Sequence, residues 1–257
     1  MAYIDAYAAS FNFARLVRLE HEVVSVRPSP TNEVDGSWTL LVKNYQNGSE
    51  DPPAVEEHFS AVYICTGHHG QKRMPPPLPG QTEHFSGEIV HAHDVKSGAR
   101  FRGKRVIVVG LGNSGADLAA ELGPIARQVY VCLKRGTWVS YRVGPFGRPM
   151  DHYFLRRAVQ LLIDWLPLAV FSGLLHQLLN FRFDHRRYCL QPETLVLGQH
   201  ITINDALPNL LISGRVVIKG RMVGFEEDGR SVLLEDGSKL EDIDAVSSNF
   251  DHRFPPF

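Results

Sequence analysis

Arg105-Val-Ile-Val-Val-Gly110-Leu-Gly112-Asn-Ser-Gly115-Ala-Asp117 is the stretch that decides how this chain folds. Four apolar residues without alternation predict a parallel strand covered on both faces. Gly110-x-Gly112-x-x-Gly115 follows at once, then an amphipathic run through Leu122. A second β-branched run, Gln128 to Leu133, completes the strand–helix–strand unit that a dinucleotide fingerprint requires. Each glycine has its own job. Gly110 makes the tight turn, Gly112 lets backbone approach a pyrophosphate, and Gly115 lets the helix pack close to the strand. The helix N-terminus offers free N–H groups and a positive dipole end to phosphate. Lys134 and Arg135 stand where an NAD site carries a carboxylate for the ribose 2′-OH. Their charge suits a 2′-phosphate and favours NADP(H); the alternative is a solvated strand end.

Bulk properties narrow the partners. A length of 257 residues holds one large or two small domains. The net charge of −1, with no long basic run, argues against nucleic acid. Cys65, Cys132 and Cys189 are odd in number and widely spaced, which fits neither a disulfide framework nor a zinc site. Cys65 and Cys132 lie in apolar runs and are expected as buried thiols. Met1-Ala-Tyr-Ile-Asp-Ala has neither the basic nor the apolar region of a signal peptide.

Outside the central unit, Tyr3 to Phe13 is helix-like, and Val23–Val26, Ser37–Lys43 and Phe59–Cys65 read as strands. Turn signals at Val34-Asp-Gly36 and Asn47-Gly48 make these an antiparallel meander leading into a buried strand. That strand is expected to end in the turn Cys65-Thr66-Gly67-His68-His69-Gly70, which presents backbone to a ligand or is an ordinary loop. Met74-Pro-Pro-Pro-Leu-Pro79 can be neither helix nor central strand and reads as a link between domains. His91-Ala-His93-Asp94 lacks further spaced ligands, so no metal is assigned. Tyr153 to Phe183 is apolar and helical, broken by Asp164, Pro167 and His176. It is expected as a buried helical hairpin or a helix lying in a membrane interface, not a transmembrane span. Met222–Glu227, Ser231–Glu235 and Lys239–Asp242 form a second meander, and Ile243–Val246 begins a further buried strand.

These residues resemble the flavin-containing monooxygenases. Phe85-x-Gly87-x-x-x-His91 is similar to most of the family motif F-x-G-x-x-x-H-x-x-x-[YF], with Val95 departing at its last position. Val109 to Asp117 resembles the NADPH-binding segment throughout, and Lys134-Arg135-Gly136-x-Trp138 the strand end that follows. Asn204-Asp205-x-Leu207-Pro208 and Ile243-Asp-Ala-Val246 are similar to later segments of vertebrate members. There are departures as well. Gly110-x-Gly112-x-x-Gly115 is the one such fingerprint, whereas the family opens with another for FAD. Ser247-Ser248-Asn249-Phe250 replaces an Ala-Thr-Gly-Tyr stretch. The hydrophobic tail of vertebrate members is missing too.

The resemblance implies an α/β fold: a Rossmann-like NADP-binding domain over 103–246 with a helical insertion near 150–185. It is flanked by parts of an incomplete FAD-binding domain, 1–74 and 247–257, with 75–102 as a linker carrying the family motif. Apolar sheet surface is expected to lie uncovered in the incomplete domain. The cofactor contacts implied are Gly110, Gly112, Asn113, Ser114, Gly115, Ala116, Asp117, Lys134 and Arg135 for NADP, with Thr66 and Gly67 beside FAD. No side chain is implied as acid, base or nucleophile, because the flavin carries the hard chemistry. NADPH, O2 and a small molecule with a soft nitrogen or sulfur are the implied reactants. The cytosolic face of the endoplasmic reticulum is the implied location. A truncated product that binds NADP(H) and oxygenates nothing is the alternative. A serine hydrolase is rejected because Ala116 stands where a nucleophile elbow needs glycine. A disulfide reductase is disfavoured for want of a redox cysteine pair.

Overall fold

The computed structural model describes residues 2–30, 35–67, 72 and 74–248. The chain forms two compact units, Met1–His68 and His69–Phe257.

The first unit holds helix α1 (Ala2–Ser10) and strands β1 (His21–Pro28), β2 (Trp38–Asn44) and β3 (Ala54–Phe59). The strands pair antiparallel in the order β1-β2-β3. The turn glycines Gly36 and Gly48 take positive φ, and the Asp35 carboxylate accepts from the Ser37 N–H. The central strand buries Leu40 and Val42. Val23, Val24 and Val26 on β1, and Val55 and Phe59 on β3, remain exposed, as expected for uncovered sheet. Arg18 grips Glu57 through two parallel bonds of 2.8 and 2.7 Å, and Arg27 pairs with Glu56. The strand expected at Phe59–Cys65 does not form. Ala61 to Gly67 is unpaired chain, Tyr63 is 91% exposed, and Cys65 is exposed rather than buried. An apolar run becomes a parallel strand only when neighbours receive its hydrogen bonds, and this run pairs with none of the described residues. His68, His69 and Gly70 of the expected turn lie outside the described residues, as does Val34.

The second unit is built on a five-stranded parallel sheet of order β4-β13-β5-β6-β9. Its strands are β4 (Glu88–His91), β5 (Arg105–Val109), β6 (Gln128–Cys132), β9 (Val216–Lys219) and β13 (Ala245–Ser248). Within 75–102, expected as a linker carrying the family motif, Glu88–His91 forms the edge strand β4. Ser247 and Ser248 end the inner strand β13; the residues after 248 lie outside the described ones. Helix α2 (Asn113–Leu122) covers one face, where Val106, Val108, Leu118, Leu122, Val129 and Val131 are buried together. The antiparallel meander β10 (Met222–Phe225), β11 (Val232–Leu234) and β12 (Lys239–Leu240) supplies the core of the other, with Ile107, Phe225, Val232, Leu234 and Val246. Both faces are covered, which is why β5 reads apolar without alternation. Cys132 is buried as expected, and burial pushes its thiol up to about 12.

Between β6 and β9 lie the short parallel pair β7 (Val139–Ser140) and β8 (Thr202–Ile203), and helix α6 (Leu207–Ile212). The helical insertion falls between β7 and β8 as α3 (Asp151–Phe154), α4 (Arg157–Trp165) and α5 (Leu168–Arg182). It is not a buried hairpin. Leu175 and Leu179 on α5 pack with Trp138 and Val196, but Leu161, Trp165, Leu168, Leu174 and Phe181 are exposed. Among the described residues no helix is long and apolar enough to cross a membrane.

Candidate functional site

The carboxyl end of β5 carries the site. Gly110 turns the chain at φ 89°, and its N–H donates to the Cys132 carbonyl at 3.0 Å. Left-handed backbone at this corner favours glycine. Gly112 caps α2 in extended conformation, and a Cβ added there would meet nothing within 4 Å. Open space above this backbone is what a pyrophosphate seated on a helix N-terminus needs. Gly115 and Ala116 are buried on the sheet side of α2, while Gly112, Asn113, Ser114 and Asp117 face outward. The first turn of α2 carries no acidic side chain to compete with an anion.

A framework that sequence reasoning missed holds the loop. The Thr202 hydroxyl donates to the Leu111 carbonyl at 2.7 Å and lies 3.0 Å from the Thr137 hydroxyl, both threonines buried. The Asn113 side-chain oxygen accepts from the Ile203 N–H at 2.9 Å, and Asp117 accepts from the Asn204 amide at 2.8 Å. Two of the expected cofactor contacts, Asn113 and Asp117, therefore tie the loop to the 202–204 segment. Asn204 also accepts from the Ala206 and Leu207 N–H groups and so sets the start of α6. Arg142 stands 3.6 Å from Asp117.

Lys134 and Arg135 follow β6 after one intervening residue and are exposed; neither takes part in an ion pair or side-chain hydrogen bond with the described residues. Two cations without an ion pair among the described residues, at the end of the strand beside the glycine loop, suit a 2′-phosphate. Thr66 and Gly67 belong to the first unit, in exposed chain outside any strand. The His91-Ala-His93-Asp94 segment is local structure: the His91 ring accepts from the His93 N–H, and Lys72 pairs with Asp94 at 2.6 Å. That lysine holds the Asp94 carboxyl below its usual range. Among the described residues no group of three ligands could hold a metal.

Sheet order and the glycine-fingerprint loop at the carboxyl end of β5 are those of a dinucleotide-binding α/β fold. A family model described as flavin-binding monooxygenase-like matches residues 1–257, and the chain belongs to this family. Flavin-containing monooxygenase 5 of Oryctolagus cuniculus is 37% identical over 99% of this chain, which covers 47% of that relative. The chain thus spans about half the length of the curated relatives it matches. Among solved structures, cyclohexanone monooxygenase from Rhodococcus sp. Phi1 bound to NADP+ superposes with a TM-score of 0.60 at 17% identity, over 96% of this chain and 54% of that one. The OTEMO complex with FAD and NADP gives 0.58 at 15% identity, over 96% and 56%. At such identities these two speak for the fold.

Proposed function

We propose that this chain supplies the NADP(H)-binding part of a flavin monooxygenase. The observation that carries the reading is the open backbone at Gly112, with Lys134 and Arg135 just past β6 and without an ion pair among the described residues. The Gly112–Gly115 backbone would hold the pyrophosphate, and Lys134 and Arg135 the 2′-phosphate, fixing the nucleotide by its ends. Bound FAD supplies the oxygen-activating chemistry of such enzymes, with NADPH as hydride donor. This chain's residues bind and orient, and the chemistry needs no side-chain acid or base from them. Thr66 and Gly67, the implied FAD neighbours, lie in exposed chain, and among the described residues they form no built flavin site. No step through the flavin is therefore derived from these residues. In the full-length protein the reaction would insert oxygen from O2 at a soft nitrogen or sulfur of a small molecule.

The 257 residues taken alone favour a second outcome: they bind NADP(H) and oxygenate nothing, since their one G-x-G-x-x-G is the NADP fingerprint. A visible spectrum of the purified chain, with an NADPH titration, separates the two. Flavin absorbance with substrate-dependent O2 uptake supports the first; NADPH binding by a colourless protein supports the second.

The insertion extends the proposal to location, the cytosolic face of the endoplasmic reticulum membrane. Its exposed apolar residues on α4 and α5 suit a helix pair lying on a bilayer surface. Flotation with neutral and anionic liposomes tests this; a chain that stays at the bottom of both gradients contradicts it.

A further inference from the structure

His185 is fully buried, far along the chain from the glycine loop, yet hydrogen bonds connect the two. The Val139 N–H donates to its Nε2 at 2.9 Å. The Val139 carbonyl also lies 3.2 Å from Nε2, but the shorter contact is with an N–H, which can only donate, so it is met when Nε2 is bare and Nδ1 carries the proton. Nδ1 then donates to the Asn180 side-chain oxygen at 3.0 Å. Asn180 in turn donates to His176 Nε2 at 2.9 Å. The Asn180 oxygen thus places the neutral ring's one proton on Nδ1 and leaves Nε2 to accept from Val139. Trp138, also buried, packs edge-on against His176 and His185 at 5.0 Å each. The 184–190 turn is fastened as well: Asp184 accepts from the Arg186 and Arg187 N–H groups, and the Thr137 N–H donates to the Leu190 carbonyl.

From Val139 the connection runs onward. Val139 pairs with Thr202 in the β7–β8 register, and the Thr202 N–H donates to the Trp138 carbonyl at 2.8 Å. Thr202 and Ile203 hold Leu111 and Asn113 of the loop. Resting on the NADP(H) reading above, we infer that His185 is a positioning residue for the glycine loop, and that a second proton on its ring loosens the loop's grip on the nucleotide. A protonated Nε2 could turn to the Val139 carbonyl, 3.2 Å away, but it would face the Val139 N–H donor against donor, and that N–H would lose its acceptor.

The charged and titratable groups around the ring are few. The Val139 and Phe183 backbone and, more weakly, Asp184 on the turn favour the protonated form, and His176 on α5 opposes it. Burial is the largest influence and holds His185 below the ordinary histidine value. The unfolded chain therefore takes up this proton at higher pH than the folded one. The contribution is whole above about 6.5 and is lost as pH falls from there toward the folded value.

The test uses the full chain with His185→Phe, which removes the acceptor, and His185→Gln, which keeps one and cannot titrate. In the ligand-free protein, amide exchange at Val139, Thr202 and Ile203 should speed up on the order of ten- to a hundredfold in His185→Phe. Exchange at Val106–Val108 should not change, and His185→Gln should restore protection. NADP+ affinity at neutral pH should fall about tenfold in His185→Phe and stay within about threefold of wild type in His185→Gln. Below pH 6.5 the wild type should lose affinity more steeply than His185→Gln. Only that difference is read, because a phosphate itself titrates near pH 6. Unchanged exchange in both variants, or identical acid limbs, overturns the inference. A wild type that binds no NADP+ at any pH overturns the nucleotide reading, while exchange still decides whether His185 holds the loop. If His185→Phe does not fold, the exchange of wild type against His185→Gln at low pH decides instead.

Discussion

Ala61-Val-Tyr-Ile-Cys65 and Val106-Ile-Val-Val109 look alike as strings: unalternating, β-branched or aromatic, and each followed within two residues by a glycine. One is exposed, unpaired chain in the first unit; the other is an inner strand of the second, with Val106, Ile107 and Val108 wholly buried. The difference lies in their neighbours. β5 has β13 and β6 on its flanks, α2 on one face and residues of the β10–β12 meander on the other. The earlier run has no such partners among the described residues. A fully buried strand is therefore a property of the elements around it, and its own composition only permits it.

Truncations at matched positions should sharpen this contrast. Ile107→Ala removes a wholly buried side chain between close-packed layers. It should lower the unfolding free energy of the second unit by about 2 to 5 kcal/mol in urea denaturation. A smaller effect is expected at Asn204, 4% exposed, which serves Asp117 and two N–H groups of α6. Asn204→Ala should cost about 1 to 3 kcal/mol by the same measurement, because buried donors lose their acceptor. Smallest of all, Ile64→Ala at a 75% exposed position should stay within about 0.5 kcal/mol. A loss at Ile64 equal to that at Ile107 would break the comparison.

Much of the second unit was legible because its signals are local and redundant. The glycine spacing, the apolar runs on both sides and the Asp-Gly turns of the second meander agree with one another. The framework around the loop was not legible. β7 and β8 are two residues each, too short to show a period, and Thr137, Thr202 and His185 carry no motif. Their role exists only once the chain brings positions 65 residues apart to 3.0 Å. A hint was available in Asn204-Asp205-x-Leu207-Pro208, where Asn and Asp before a proline-bearing helix start announce side-chain capping. The insertion misled for a different reason. Its apolar content suggested a hairpin core, but most of that content faces outward, which composition cannot distinguish.

The central claim, an NADP(H) site built from the Gly110–Gly115 backbone and the Lys134–Arg135 strand end, is tested most directly by titrating NADPH and NADH against four proteins: wild type, Gly112→Val, Arg135→Ala and Lys134→Ala. Gly112→Val fills the open space above the loop and should weaken both nucleotides alike. Arg135→Ala removes one charge-assisted contact and should narrow the preference for NADPH roughly ten- to a hundredfold, leaving NADH nearly unchanged. Nucleotide binding by Gly112→Val at wild-type strength, or the same NADPH-to-NADH ratio in Arg135→Ala and Lys134→Ala as in wild type, would contradict the claim.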